Sequence, residues 1–252
     1  MLLEGKRAFV TGASGGLGGA ISVALAHAGA DVAVGYRSDH DRAQAICDAV
    51  RAKGRRAVAV LLEQSHPESV ATAVGLVVEA FGGLDLLVNN AGMASGRHAI
   101  PAGDLDAFTP EVWDEMMAVN ARGPFVVTRA AAPHLKKSGC GRVINIGSTI
   151  GHGPWGASAA YAPSKGAVTA VTRFLAAALA PEVTVNAVSP GLIVGTGMSG
   201  GASQDYVEGW AERALLKRTT APEDVARQVV MFCASSTVTG QSVVIDGGIH
   251  FD

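Results

Sequence analysis

Cysteine is scarce in this chain of 252 residues. There are three, Cys47, Cys140 and Cys233, far apart and odd in number. That excludes a disulfide framework, no spacing among them suits a metal site, and reduced thiols in a cytoplasmic protein are the expectation. Charge is also sparse: 17% of residues are charged and the formal net charge is −2, which offers no electrostatic ground for a nucleic acid or an anionic membrane as partner. No long block of like charge occurs; the densest basic stretch is the short run 51–56. No apolar run reaches the roughly 20 residues of a transmembrane helix. The opening segment Leu2-Leu3-Glu4-Gly5-Lys6 lacks the apolar centre of a secretory signal. What the chain has is a hydrophobic share of 48%, which excludes a disordered polymer and suits one domain spanning residues 1–252.

Short apolar runs alternate with helical patterns from end to end. Strands are expected at 8–11, 32–35, 57–62, 84–89, 142–147, 184–188 and 242–245, most of them uninterrupted apolar runs of the kind buried on both faces of a parallel sheet. Helical stretches fall between them, among them 16–28, 39–53, 67–81 and 168–180. The alternation predicts an α/β fold: a doubly wound parallel sheet of about seven strands with helices on both faces. Two stretches with weak periodicity, 96–103 and 195–205, would follow strand carboxyl ends, where open α/β sheets bind ligands, and are candidate substrate loops.

The first strand runs into Thr11-Gly12-Ala13-Ser14-Gly15-Gly16-Leu17-Gly18, after which a helix begins. Glycines there let the backbone turn tightly and approach a pyrophosphate at the helix N-terminus, which makes the domain a nucleotide-binding one of Rossmann type. After the second strand stands Gly35-Tyr36-Arg37-Ser38, with no acid to bind a ribose 2′-hydroxyl; Arg37 and Ser38 suit a 2′-phosphate and so favour NADP over NAD. Asn89-Asn90-Ala91-Gly92 reads as a turn after the fourth strand. Asn120 interrupts a helical pattern, and bulging the helix around it is one reason for its presence. Tyr161 and Lys165 are four residues apart, hence on one helix face, and Ser148 precedes the tyrosine by thirteen residues. A neighbouring ammonium favours the ionised form of a phenol, a route to acid/base work near neutral pH. Pro163 fits only the first turn of a helix, so that helix should start shortly before Tyr161. His152 and Trp155, on the loop in between, are candidate pocket residues.

Together these residues resemble the short-chain dehydrogenase/reductase family over essentially the whole chain. Thr11-Gly12-x-x-x-Gly16-x-Gly18 is similar to its cofactor turn, Asn89-Asn90-Ala91-Gly92 to its fourth-strand motif, and Pro190-Gly191 to the motif after its sixth strand. Asn120, Ser148, Tyr161 and Lys165 are similar to its catalytic tetrad. The resemblance implies that Tyr161 exchanges a proton with the substrate oxygen and that Ser148 holds that oxygen. Lys165 would lower the Tyr161 pKa and bind the nicotinamide ribose, and Asn120 would support a water chain to Lys165. It implies cofactor contacts from Gly12, Ser14, Gly15, Gly16, Leu17, Gly18, Tyr36, Arg37, Ser38, Glu63, Gln64, Asn90, Ala91, Gly92, Tyr161, Lys165, Pro190, Gly191 and Ile193, with no metal. Three departures stand out. Gly15 occupies a place where many NADP-preferring members carry a basic residue, Glu63-Gln64 stands where an Asp is usual, and Thr196 comes one residue later than is common. Within the family the chain resembles 3-oxoacyl-carrier-protein reductase and glucose dehydrogenase types. The expected function is NADP(H)-preferring hydride transfer between nicotinamide and a carbonyl/secondary-alcohol pair in a small molecule. A non-catalytic nucleotide-binding regulator and an epimerase using the same tetrad are the alternatives. The alanine-rich stretches 118–132 and 167–180 should form neighbouring helices, which in resembling proteins pack as the interface of a homotetramer.

Overall fold

A computed structural model describes residues 1–94, 104–153, 160–197 and 199–251. The candidate loop 96–103 and Trp155 lie outside the described residues, as does position 198 of the second candidate loop.

Seven strands form one sheet: β1 (Arg7–Val10), β2 (Asp31–Tyr36), β3 (Ala57–Leu61), β4 (Leu86–Asn89), β5 (Gly141–Ile146), β6 (Val183–Pro190) and β7 (Ser242–Ile245). Their order is β3-β2-β1-β4-β5-β6-β7 and every pairing is parallel. The helices are α1 (Gly16–His27), α2 (His40–Arg51), α3 (Pro67–Phe81), α4 (Pro110–Met117), α5 (Gly123–Lys137), α6 (Tyr161–Leu179), α7 (Gln204–Arg213) and α8 (Pro222–Ala234).

Alternation along β1 shows how the sheet divides the core. Ala8 and Val10 point into the layer formed with Ile21 and Leu25 of α1, Cys47 of α2 and Val229 of α8. Phe9, between them, points into the opposite layer with Val74 of α3, Leu135 of α5 and Leu179 of α6. Both sheet faces are covered, which is why the strands read as continuous apolar runs. All seven expected strands are present, with shifted ends. β4 begins at Leu86, because Asp85 before it is occupied in binding the Arg7 guanidinium and backbone N–H. α6 begins at Tyr161, well before the periodicity of 168–180, because Pro163 is accommodated in the first turn where N–H groups have no helical partner.

Chain order reverses between β1 and β4, the place where such sheets open a crevice at their carboxyl ends. A buried ladder of amides and hydroxyls braces the neighbouring strands. Asn89 Nδ2 donates to Asn145 Oδ1 at 2.8 Å and to Thr128 Oγ1 at 3.0 Å, and Asn145 Nδ2 donates to Thr172 Oγ1 at 2.9 Å. Asn89 and Asn145 face each other in register across β4 and β5, so this ladder fixes α5 and α6 against the strands that lead into the site. Among the described residues no helix is long and apolar enough to cross a membrane.

Candidate active site and cofactor cleft

The glycine turn is held by side chains from β4. Thr11 Oγ1 accepts from the Asn90 and Ala91 N–H groups at 3.1 and 2.9 Å, and Asn90 Nδ2 donates to the carbonyls of Thr11 and Gly12 at 2.9 and 3.0 Å. A Cβ placed on Gly18 would stand 2.5 Å from the Gly12 carbonyl oxygen and 2.6 Å from Asn90 Nδ2, so only glycine allows this closure. Leu17 packs into the core layer beneath. Gly15 caps α1 without any side-chain acceptor, and no acid stands in the first turn. The amino-terminal N–H groups of α1 are thus left to an anion, as a pyrophosphate requires.

Beside this turn, Arg37, Ser38, Glu63, His66 and Val119 line a cavity of about 650 Å³, a size that suits an adenosine-sized group. Asp39 is the cap of α2, its carboxylate accepting from Arg42 N–H at 2.9 Å. Ser38 is therefore not used as a cap and lies exposed at the mouth with Arg37. The Arg37 guanidinium stands 4.0 Å from the Glu63 carboxylate, a loose exposed pair. Tyr36 is half-buried, edge-on to the His40 ring. Gln64 is turned inward: its amide donates to the Ala91 and Val119 carbonyls at 3.0 and 2.8 Å, tying the loop after β4 to the helix beyond. On the other side of the crevice, Pro190 ends β6, Gly191 N–H donates to Ile245 O at 2.9 Å, and Ile193 is buried. Thr196 lies against Gly16, its Cγ2 3.2 Å from where a Cβ on that glycine would be. Gly92 follows β4 in the segment after Asn89. The bare helix terminus and the cavity beside it fit a nicotinamide dinucleotide.

The structure brings Asn120, Ser148, Tyr161 and Lys165 into one neighbourhood. Asn120 sits in a π-helical turn, Ala118–Arg122, that joins α4 to α5, the bulge that its place in a helical pattern suggested. Its amide clamps the Met93 backbone, accepting from N–H at 2.8 Å and donating to the carbonyl at 2.9 Å, and also donates to Ser164 Oγ on α6 at 3.1 Å. Ser148 caps a short 3₁₀ turn, Thr149–His152. Lys165 and Tyr161 are both buried, with the ammonium 5.9 Å from the centre of the phenol ring. Lys165 Nζ donates to the Ile146 carbonyl at 3.0 Å. Burial pushes the phenol up to about 12, and a hydrogen bond from Ser148 offsets only part of that rise. Burial also brings the Lys165 ammonium down to about 8. The depressed phenol pKa expected from a neighbouring ammonium is not what this environment produces: burial raises it, and the group that lowers it is Ser148. Among the described residues no group of His, Cys, Asp or Glu is placed to hold a metal.

Residues 12–250 match a family model described as Enoyl-(Acyl carrier protein) reductase. The chain is a short-chain dehydrogenase/reductase. Relatives of this dehydrogenase/reductase include a Streptomyces violaceoruber protein named, provisionally, ketoacyl reductase 2 of the granaticin polyketide synthase, 39% identical over 98% of this chain and 97% of that one. Another is the 3-oxoacyl-[acyl-carrier-protein] reductase FabG of Staphylococcus epidermidis, 32% identical over 97% and 99%. Among solved structures, a short-chain dehydrogenase from Burkholderia cenocepacia in complex with NADP superposes with a TM-score of 0.88 at 39% identity, each chain covered to 99%.

Two side chains beside the site were not singled out in the sequence: Thr149 follows Ser148, and Asp246 accepts from its hydroxyl. They are linked only by folding, 97 residues apart.

The buried pair has a pH signature. Between about 8, where Lys165 titrates in the folded chain, and roughly 10.4, where a free lysine titrates, the unfolded chain holds a proton that the folded chain has lost. Raising pH through that window therefore stabilises the fold through this group. Tyr161 acts in the opposite sense between roughly 10 and about 12. Lys165→Met should make the rise in unfolding free energy from about pH 8 to about pH 10 shallower than in the parent protein, as followed by urea denaturation. Identical slopes in the two proteins would show that the ammonium is not desolvated.

Proposed function

We propose that this protein is an NADP(H)-preferring ketoreductase that moves a hydride between nicotinamide and a carbonyl/secondary-alcohol pair, with Tyr161 as the general acid/base. The supporting observation is a buried phenol hydrogen-bonded to Ser148, with a buried ammonium one helical turn away. A protein that only bound a nucleotide could use the lysine for the ribose but would have no use for a phenol buried beside it, and burying both groups costs stability. At neutral pH the phenol holds its proton, the state required to protonate a carbonyl oxygen as it is reduced. Ser148 Oγ donates to that oxygen and fixes it beside the phenol. Lys165 stabilises the phenolate left behind and can return a proton to it, its own affinity having been lowered by burial. Asn120 keeps the π turn, the Met93 segment and Ser164 in register around the lysine. The nicotinamide cofactor, when bound, supplies or accepts the hydride. The substrate class follows the relatives named as 3-oxoacyl and ketoacyl reductases, for which a 3-oxoacyl thioester is the probe.

NADP(H) preference rests on Arg37 and Ser38 at the mouth and on the absence of an acid at the end of β2. Gly15 brings no second cation, so the preference is modest. Assembly as a homotetramer is supported by the outer face of α6: Ala170, Phe174, Ala177 and Ala178 are exposed, Phe174 to 62%. An apolar strip of small residues around one aromatic suits close packing against the same helix of another copy.

Tyr161→Phe should lower kcat for NADPH-dependent reduction of acetoacetyl-CoA by at least about 100-fold, the scale of general acid/base catalysis. Near-parental turnover would overturn the assignment, and turnover without net loss of NADPH absorbance would indicate epimerisation. Arg37→Ala should weaken NADPH binding and spare NADH in fluorescence titrations; equal use of NADH by the parent would refute the assignment of Arg37. Light scattering should give a mass near four chains, and a mass near 25.5 kDa would assign the α6 face another purpose.

A further inference from the structure

The turn after β7 reaches back to the residue next to Ser148. Asp246 is 4% exposed and Thr149 is 1% exposed. Asp246 Oδ1 accepts from the N–H groups of Gly248 and Ile249 at 2.9 and 3.0 Å; Oδ2 accepts from His250 N–H at 3.0 Å and from Thr149 Oγ1 at 2.6 Å. His250 Nδ1 lies 2.7 Å from Thr149 Oγ1 and 3.1 Å from Asp246 Oδ2. Burial alone would raise the Asp246 carboxyl; the hydrogen bonds from Thr149, from His250 and from the turn outweigh that and hold it below the ordinary carboxylate range.

These distances fix the direction of every proton. An ionised carboxylate only accepts, so the single Thr149 hydroxyl proton is donated to Asp246. The remaining lone pairs of Oγ1 face His250 Nδ1, which must therefore be the N–H of the ring and donate. Thr149 is left with no rotational choice. The same short turn is gripped from its other side by α6, where a Cβ on Gly151 would stand 2.7 Å from Gly166 N; just beyond the turn, a Cβ on Gly153 would stand 2.6 Å from His250 Nε2. Ser148, extended at φ −164° and ψ 147°, leads directly into this doubly held turn.

We propose that Asp246, His250 and Thr149 are positioning residues for the hydride-transfer reaction: the segment after β7 aims the Ser148 hydroxyl at the substrate oxygen by locking its neighbour. The proposal rests on the roles given above to Ser148 and Tyr161. It assigns the far end of the chain a part in the catalytic geometry without contact with substrate.

The test is a split between turnover and cofactor binding, with rescue. Thr149→Val keeps the branched shape and removes the hydroxyl; kcat for acetoacetyl-CoA should fall about tenfold or more, since small misplacement of a catalytic group is costly. NADPH affinity by fluorescence titration should stay within about twofold. Thr149→Ser restores the hydroxyl and should recover most of the turnover. Parental kcat in Thr149→Val, or an equal loss in the valine and serine variants, overturns the proposal. If Thr149→Val does not fold, His250→Ala carries the test by the same split, with His250→Asn, which offers an N–H at the δ position, as the rescue. Tyr161→Phe measured alongside separates the two levels. Full activity in that variant removes the reading on which the proposal rests, whereas an inactive Tyr161→Phe beside a fully active Thr149→Val removes the positioning role alone.

Discussion

The seam between β1 and β4 is the constraint on which the rest of the site depends. Chain order reverses there, so the helices after the two strands depart to opposite faces and leave a crevice between them. Thr11 and Asn90 close its floor with four hydrogen bonds involving backbone groups. The glycine turn cannot shift without breaking contact with β4, and the bare N-terminus of α1 is held facing the crevice. Each further element is placed relative to this seam: β2 brings Arg37 to one side, and β5 and β6 bring Ser148 and Pro190 to the other.

Polar groups deep in this molecule are satisfied mostly by fixed neighbours. Asn120 uses its amide on a backbone segment and on Ser164, and Asn89 and Asn145 join two strands to two helices. In a low-dielectric interior such networks confine side chains to one arrangement. The Tyr161–Lys165 pair is the counterexample, since both groups are displaced from their ordinary protonation range by loss of water. A stable core has no need of that displacement, and groups shifted in this way cluster at sites where protons are exchanged. Stability is lost there in return for a phenol that keeps its proton and an ammonium that can release one.

Much of the fold was legible in the sequence for a local reason. Parallel strands buried on both faces must be continuously apolar, so 8–11 and 32–35 announce themselves without reference to partners, as does the glycine turn. Tyr161 and Lys165 were legible because helical spacing is local, and Asn120 because a lone asparagine is out of place in a helix. The residue string by itself therefore determined the α/β alternation and the glycine turn, and it singled out Tyr161 as the candidate acid/base group.

What only tertiary structure decided lies in pairings between distant residues and in the loss of water. Glu63 and Gln64 are adjacent in sequence, yet one faces the cofactor mouth beside Arg37 and the other ties Ala91 to Val119. The direction of a strand-end side chain depends on what packs beside it. Asp246 and Thr149 meet across 97 residues, and no periodicity encodes such a meeting. The sign of the Tyr161 shift was also beyond local reading. The sequence shows a lysine four residues away, but only the packed chain shows how completely water is removed from both groups, and burial is the largest cause of both shifts.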